Sequence, residues 1–382
     1  TIFPGLAFSF VGILQSMDEF NIPAAMSIVS TAIIFIYSVF LNDRFGIYGL
    51  TFAFLIGWAM QAIIQIPALL KRGYKYKLFL DFKDEGLKKI IKLMLPVMVS
   101  TWIQPINLAI NTKFASRLLN GAGVSPLGYA NTVYSIVVGV FVLSVANVIF
   151  PRLSRMTIDN DKKQFGKTVS ITMEVMAFLL IPMTVGLMCL SEPIIRVIFQ
   201  QGEFTQYATA LTANALFFFS IGMIGFGIQT ILSRAFYAEQ NGRIPLLSGI
   251  ISIGVNVALC IVLAPGMGIG GLALASSVSS TVSAIVLIIP MQQRNKIISK
   301  TLVIQVIKMI ISAVIMASVV VLCKNAISTA LQPSFITSFI EVGVPTVCGV
   351  IVYMVLTRIL VVPHAKMFFD FAINFVKGKI KK

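Results

Sequence analysis

The sequence predicts an all-α, polytopic membrane protein that is built as two lobes. Three observations support this fold class: an apolar composition, long uncharged stretches and an internal repeat. Hydrophobic residues make up 57% of the 382 positions and charged residues only 12%, whereas a soluble domain carries roughly 25% charged residues. A chain of this composition is expected to place most of its length in a lipid bilayer.

Apolar stretches of the length that crosses a bilayer recur along the whole chain. A transmembrane helix needs roughly 20 predominantly apolar residues, and stretches of this length indicate helices rather than strands. We predict about 11 transmembrane helices on this criterion. They lie at 1–16, 23–41, 50–70, 91–112, 128–149, 169–190, 208–232, 245–264, 270–291, 301–323 and 335–357.

One stretch of the chain occurs twice. A shift of 222 positions aligns 22–53 with 244–275 without a gap, and both copies read proline, apolar run, glycine-containing break, apolar run. The identical pairs include Pro23/Pro245, Ser30/Ser252, Gly46/Gly268 and Gly49/Gly271. We interpret the copies as a duplicated helix–loop–helix unit. Because both copies have the same predicted orientation, the two lobes should be related by an axis along the membrane normal. We assign this unit a scaffold role and place specificity in the helices ahead of each copy.

The repeat also predicts the domain organisation. Three further helices precede the segment that leads into the second copy, but none precedes the matching segment 1–16, so we expect an N-terminally truncated form of a fourteen-helix protein. Residues 1–70 would then be the remainder of the N-terminal lobe, its last three helices, and 91–291 a six-helix C-terminal lobe. A cytoplasmic linker with a surface helix (71–90) joins them. Two additional transmembrane helices (301–357) and a basic cytoplasmic tail with an interfacial helix (358–382) follow.

The positive charges lie mostly on one side of the predicted membrane. Of the 30 Lys and Arg residues, those on the opposite side are Arg44, Lys113, Arg117, Arg196 and Lys324. This bias places the linker and the C-terminus in the cytoplasm. The same bias explains the net charge of +16, because the basic residues follow the membrane topology. We therefore expect no nucleic-acid partner.

The sequence offers no constellation for covalent, metal or nucleotide chemistry. Residues 266–271 have the spacing GxGxxG, but they follow an apolar helix and not a strand, which excludes a dinucleotide site. His364 is the one histidine. The four cysteines lie in apolar runs without metal-ligand spacing: Cys189, Cys260, Cys323 and Cys348. We therefore predict no catalytic residue and no enzyme activity.

Neutral polar side chains within two neighbouring segments are the best candidates for a binding site. Gln104, Asn107 and Asn111 fall at i, i+3 and i+7, on one face of a helix. The next segment adds Asn131 and Thr132. As a set, on paired helices of a two-lobe protein, they favour a polar cavity. The alternative role for each single residue is helix packing through amide hydrogen bonds.

Several ordered blocks in the second half of the chain have a recognisable sequence. They are 110–116 (INTKFAS), 128–131 (GYAN), 148–154 (VIFPRLS), 192–205 (EPIIRVIFQQGEFT), 232–237 (LSRAFY) and 243–245 (RIP). These blocks resemble the MviN/MurJ family of lipid II flippases, within the multidrug/oligosaccharidyl-lipid/polysaccharide exporter superfamily. The resemblance implies a two-lobe exporter fold, with about 11 of its 14 helices present here.

The resemblance also implies an activity and its partners. A cavity between the lobes would accept lipid II, the lipid-linked peptidoglycan precursor, at the inner leaflet and release it at the outer leaflet by alternating access. The partners would be a polyprenyl-pyrophosphate-linked glycan and membrane lipids, and the location the bacterial cytoplasmic membrane. We expect a monomer.

Charged residues are where the sequence departs from the family. Cavity arginines of the family lie mainly on the first two helices, and another commonly follows the Tyr-Ala-Asn motif, where this sequence has Thr132. We hypothesise that Lys113 and Arg117 pair with the substrate phosphates instead. The expected cytoplasmic gate or headgroup contacts are Arg152, Arg234 and Arg243.

The energy source is a second question that the resemblance raises. Relatives in the superfamily use Na⁺ or H⁺, and Asn111, Asn256 and Ser276 are candidate sodium ligands. Coupling to H⁺ or to the membrane potential is the alternative, and no cofactor is expected.

Three other functions are alternatives to a lipid II flippase. A flippase for another polyprenyl-linked oligosaccharide, or a sporulation-related homologue, is favoured by Thr132. A drug or cation antiporter would need intramembrane carboxylates, which are nearly absent. A membrane-embedded glycosyl- or acyltransferase would need catalytic Asp, Glu or His near a membrane face.

Overall fold

Every regular element in the described part of the chain is a helix. The computed structural model describes residues 2–17, 19, 21–74, 84–330 and 335–363. It separates into two compact units, Thr1–Lys88 and Lys89–Lys382. The linker positions 75–83 and the tail positions 364–382, for which the sequence predicts surface helices, lie outside the described residues.

The first unit contains four helices and the beginning of a fifth. They are α1 (Ile2–Ser16), α2 (Asn21–Phe40), α3 (Asn42–Ile63) and α4 (Ile66–Lys71). Gln65 is fully buried between them, and its Nε2 donates to the carbonyl oxygens of Ala7 at 3.1 Å and Gln61 at 2.8 Å. Arg72 and Glu19 close one end of the unit with an ion pair of 2.7 Å.

The second unit is larger and contains the remaining helices. They are α5 (Glu85–Ala115), α6 (Val124–Val138), α7 (Ser144–Ile158), α8 (Lys162–Phe199), α9 (Gln206–Ile221), α10 (Met223–Ala238), α11 (Arg243–Asn295), α12 (Lys300–Ala330) and α13 (Phe335–Ile359). A π-helical turn, Gly139–Leu143, joins α6 to α7. In the main core, Met176 and Leu180 of α8 lie in one apolar cluster with Leu232 and Phe236 of α10.

The last two helices pack on α8. Phe178 of α8, Met316 of α12 and Tyr353 of α13 share one apolar cluster, and the Tyr353 hydroxyl donates to the carbonyl oxygen of Phe178 at 3.0 Å. At the end of α8, Arg196 forms an ion pair of 3.1 Å with Glu341 of α13. The carboxylate of Glu341, an isolated acidic residue in an apolar run, is therefore paired with a cation.

Both copies of the repeat contain a helix break at the same glycine. Gly46 has φ 52° and ψ −146°, and Gly268 has φ 57° and ψ −132°. This region of backbone space is essentially restricted to glycine. The break divides the 53 residues of α11 into 243–267 and 269–295, each long enough to cross a bilayer core. Thus the predicted segments 245–264 and 270–291 are two arms of one broken helix.

The prediction of an all-α polytopic membrane protein is confirmed. Seven helical runs among the described residues are long and apolar enough to span a membrane, and the pair α9–α10, bent by 46° at Gly222, gives an eighth. Within the described residues, each predicted apolar segment falls on one helix or on consecutive helices. The count of about 11 crossings stays a prediction, and so does the division into lobe, linker and tail. Positions 85–90 belong to α5 and not to a separate helix.

Candidate functional site

A polar cavity lies within the second unit, among α5, α6, α9, α10 and α11. Its volume is about 460 Å³, and none of the described residues that line it is Asp, Glu, Lys or Arg. The polar lining consists of amides and hydroxyls: Gln104, Asn107, Asn111, Asn131, Tyr134, Ser135, Gln229, Ser252, Ser276, Ser277, Ser279 and Ser280. Gly139 and Leu143 of the π-helical turn complete one side. The described lining therefore combines uncharged hydrogen-bonding groups with apolar side chains.

An amide cluster at the cavity wall joins α5 to α11. Asn256 Nδ2 donates to Asn111 Oδ1 at 3.0 Å and lies 3.3 Å from Asn107 Oδ1. Asn111 Nδ2 in turn donates to Ser276 Oγ at 2.5 Å. The thiol of Cys260 contacts Asn111 Oδ1 at 3.4 Å. Asn111 and Asn256 are almost completely buried, so these bonds satisfy groups that would otherwise be costly to bury.

The sequence-predicted sodium ligands thus lie within one hydrogen-bonded cluster. Asn111, Asn256 and Ser276 bring oxygen atoms together, as a sodium ion requires. However, Asn111 Oδ1 and Ser276 Oγ already accept bonds from amide donors. No group of three or more His, Cys, Asp or Glu side chains suited to a metal ion occurs among the described residues. The cluster as folded is a neutral link between helices, and the sodium site stays a prediction.

The bend between α9 and α10 forms another wall of the cavity. Gly222 lies so close to α11 that a Cβ built on it would be 2.5 Å from the Cα of Ser277. The Ser277 hydroxyl donates to the carbonyl oxygen of Phe218 at 2.6 Å, near the end of α9. A small residue at the bend and a serine opposite it therefore let α11 approach closely.

Aromatic side chains give the cavity a flat apolar surface. The rings of Tyr134 and Phe219 stack with centroids 5.7 Å apart and an interplanar angle of 28°. Phe226 meets Tyr134 edge to face at 6.4 Å. Both arrangements are favourable for aromatic pairs, so the wall is rigid and apolar next to the amides.

Gln229 of α10 is a cavity residue that the sequence interpretation did not include. It lines the cavity, and its Oε1 is buried without a hydrogen-bond partner in the described part of the chain. A buried amide oxygen without a partner costs free energy, and a ligand donor in the cavity would satisfy it. The only signal in the sequence was a single amide within the apolar run of α10. One polar residue does not indicate which face of a helix lines a cavity.

The residues of the predicted site fall into two groups. Gln104, Asn107, Asn111 and Asn131 line the cavity together. The other three lie outside its lining: Lys113, Arg117 and Thr132. All three of these are exposed, Lys113 borders a separate shallow depression, and the Thr132 hydroxyl donates to the carbonyl oxygen of Gly128 at 2.9 Å.

The three arginines of the predicted gate also lie away from the cavity. Arg152 and Arg243 are exposed. The guanidinium of Arg234 lies 5.8 Å from the ring centroid of Phe150, which is the geometry of a cation–π contact. Their role at a gate or at headgroups stays a prediction.

Residues 1–343 match the family model described as lipid II flippase MurJ. The chain belongs to the MurJ family. A probable lipid II flippase MurJ of Vibrio cholerae is 32% identical over 232 residues, which are 61% of this chain and 44% of the Vibrio protein. A probable lipid II flippase MurJ of Buchnera aphidicola is 29% identical over 352 residues, 91% of this chain and 68% of that relative. The chain therefore spans less than half the length of the first MurJ relative and about two thirds of the second.

The fold agrees with this family assignment. A solved structure of lipid II flippase MurJ in an inward closed conformation matches with a TM-score of 0.77 and 26% identity, over 94% of this chain and 71% of the other. A Vibrio cholerae MATE transporter, VcmN in the bent form, shares the fold alone, with a TM-score of 0.53 and 15% identity over 77% of this chain and 67% of the other. The resemblance to the MviN/MurJ family is thus confirmed.

Proposed function

We propose that this chain forms part of a flippase that carries lipid II from the inner to the outer leaflet of the bacterial cytoplasmic membrane by alternating access. The family assignment over residues 1–343 supports the substrate and the activity. The observation that carries the proposal for this chain is the uncharged polar cavity of the second unit. The protein acts as a transporter and not as an enzyme, with its C-terminus in the cytoplasm and as a monomer.

The chemistry of the cavity indicates which part of the substrate it takes. Lipid II has a sugar–peptide head that is rich in hydroxyl and amide groups, and a pyrophosphate that is strongly charged. Amide side chains such as Asn107, Asn131 and Gln229 replace water around hydroxyl and amide groups, and the Tyr134–Phe219 surface accepts the apolar face of a sugar ring. None of the described lining residues is a cation that could pair with phosphate. We therefore assign it the uncharged part of the head.

The pyrophosphate must be paired elsewhere, because a phosphate without a cation or donors is unfavourable in a membrane. Lys113 and Arg117 are exposed. In this proposal, they pair with the pyrophosphate. The prenyl tail remains in lipid throughout the transfer.

Coupling to an energy source is part of the proposal. The Asn111–Asn256–Ser276 cluster lacks a carboxylate, so a bound Na⁺ would lack a compensating charge. Two of its oxygen atoms, Asn111 Oδ1 and Ser276 Oγ, already accept hydrogen bonds. This favours the membrane potential or H⁺ over Na⁺ for this chain. Transport in vesicles that follows an imposed sodium gradient and not an imposed potential would contradict that preference.

Rescue of bacteria depleted of their own lipid II flippase tests the proposed function. The protein, produced from its own gene, should restore growth and the exposure of lipid II on the outer leaflet, measured with a membrane-impermeant lipid II-cleaving enzyme. Asn107→Leu combined with Asn131→Leu should lower this exposure by about tenfold, because two hydrogen-bonding groups of the cavity are lost.

Lys113→Gln combined with Arg117→Gln is the matched variant outside the cavity. If it rescues as well as the unchanged protein, at equal protein level, the phosphate-pairing role is wrong while the flippase proposal stands. If the unchanged protein fails to rescue and its deletion leaves another polyprenyl-linked glycan on the inner leaflet, the rival substrate is correct.

A further inference from the structure

A second pocket, separate from the polar cavity, lies where three helices of the second unit meet. It has a volume of about 550 Å³ and is formed by the first turns of α8, the end of α11 and the start of α12. The basic side chains on its lining are Lys162, Lys163, Lys167, Arg294 and Lys296. We call this the basic pocket.

Close helix packing forms the base of the basic pocket. A Cβ built on Gly166 of α8 would be 2.4 Å from the carbonyl oxygen of Asn295. Only a glycine therefore allows the first turns of α8 to contact the end of α11 in this way. The neighbouring Phe165 is buried in the main core, which fixes α8 at this point.

The loop between α11 and α12 forms the side of the basic pocket next to α12, and hydrogen bonds and apolar packing hold it in place. Gln292 Oε1 accepts the backbone N–H of Ile298 at 2.6 Å, and its Nε2 lies 3.4 Å from the carbonyl oxygen of the same residue. Ile297 is completely buried in the main core. Ser299 Oγ caps α12 by accepting the N–H of Leu302 at 3.1 Å. Lys296 thus projects from an ordered loop.

The basic pocket has an excess of positive charge. Arg294 is near Glu239, at 3.7 Å, whereas none of the four lysines forms an ion pair with a carboxylate in the described part of the chain. Asp161, beside Lys162, uses its carboxylate to cap α8, accepting the N–H of Gln164 at 3.0 Å. Glu174 is the one acidic residue among the described residues of the lining. An anionic ligand would relieve this excess.

An apolar surface continues directly from the basic pocket. Ile171 lines the pocket and 43% of its surface is exposed. On α12, immediately after the pocket residues Thr301 and Leu302, the apolar side chains of Val303, Ile304 and Ile307 are exposed. Both α8 and α12 are apolar enough to span a membrane. The pocket therefore lies at the point where a helix surface suited to acyl chains begins.

We propose that the basic pocket binds the phosphate headgroup of an anionic phospholipid, with the acyl chains along the exposed apolar residues of α8 and α12. Its lysines pair with the phosphodiester, and the loop and the Gly166 contact fix their spacing. Basic pockets between transmembrane helices are suited to anionic headgroups. The site is separate from the polar cavity and does not depend on the function proposed for that cavity.

Binding of phosphatidylglycerol to the purified chain tests the proposal, with phosphatidylcholine as the uncharged comparison. Retained lipid is counted by native mass spectrometry after titration in detergent. The variant Lys163→Gln, Lys167→Gln, Lys296→Gln should bind phosphatidylglycerol at least about tenfold more weakly, because each lysine near an anionic surface contributes about fivefold. The corresponding Lys→Arg triple variant should bind like the unchanged protein.

A second triple variant has the same change in net charge at residues outside the pocket lining: Arg44→Gln, Lys71→Gln and Lys324→Gln. It should keep its phosphatidylglycerol affinity within about twofold. Equal weakening in both triple variants, or none in the pocket variant, would overturn the site. Displacement of the lipid by millimolar inorganic phosphate would overturn the assignment to a lipid and identify a site for free phosphate. Thermal unfolding of each variant verifies that it is folded.

Discussion

The two copies of the internal repeat share a backbone and differ in chemistry. In both, a buried proline begins the unit, and a glycine with φ near 55° and strongly negative ψ breaks the helix: Pro23 and Gly46 in the first copy, Pro245 and Gly268 in the second. The shared break is set by a local backbone requirement that only glycine satisfies without strain. It therefore persists in both copies whatever surrounds it.

The side chains around the break have diverged. By the shift of 222, Asn256 and Cys260 of the second copy correspond to Ile34 and Ser38 of the first, and Ser276, directly after the second copy, corresponds to Phe54. The second copy consequently joins the amide cluster with α5. In the first copy the Ser38 hydroxyl bonds only within its own helix, to the carbonyl oxygen of Ile34 at 2.8 Å. Scaffold and site chemistry are thus separable within one repeat.

Replacement of the break glycines should have the largest effect on stability and should be equal in both copies. Gly46→Ala and Gly268→Ala each force a side chain into a backbone conformation that costs on the order of 1–3 kcal/mol. A Cβ at either position meets no atom within 4 Å, so the cost reflects strain alone. Thermal unfolding of the purified protein measures it. The control is Gly266→Ala, which has space and a negative φ and should stabilise slightly.

Loss of the amide cluster should affect only the second copy. Asn256→Ile, which makes this position like the first copy, removes the donor to Asn111 and should cost up to about 1.7 kcal/mol, the upper range for polar contacts between membrane helices. The matched change Ile34→Leu in the first copy is a volume-conserving apolar swap that removes no side-chain hydrogen bond, so it should cost less than Asn256→Ile. If Asn256→Ile unfolds at the same temperature as the unchanged protein, the cluster does not link α5 to α11.

A smaller effect should be specific to the first copy. The Tyr37 hydroxyl donates to the carbonyl oxygen of Gly46 at 2.6 Å, whereas Leu259 stands at the matching position of the second copy. Tyr37→Phe should lower stability by about 0.6 kcal/mol, the mean for one such bond. Leu259→Met provides the comparison without a hydrogen bond. A destabilisation confined to Leu259→Met would contradict this difference between the copies.

The fold was more accessible from the sequence than the site. The helix breaks could be predicted because Gly46 and Gly268 recur with the same spacing, and the cavity face of α5 because Gln104, Asn107 and Asn111 share helical spacing. Thr132 was grouped with Asn131, but successive residues on a helix point about 100° apart. Of these two residues, Asn131 lines the cavity and Thr132 does not.

The serines of α11 and Gln229 show why the rest of the site was missed. The interpretation of the repeat as pure scaffold was too narrow, since Ser252 lines the cavity and Asn256 bonds to its wall. These residues lie together because the bend between α9 and α10 at Gly222 brings these helices into close contact with α11. That approach depends on tertiary packing, which no local pattern in the sequence reports.

Photocrosslinking of lipid II tests the central assignment most directly. A photoreactive amino acid is placed at Gln229 in the cavity or at Thr132, which is exposed outside the cavity lining, and the protein is irradiated in membranes that contain labelled lipid II. Because we propose that the cavity of the second unit binds the uncharged part of the lipid II head, we expect crosslinking from position 229 and little from position 132. Crosslinking from position 132 with none from position 229 would contradict the assignment.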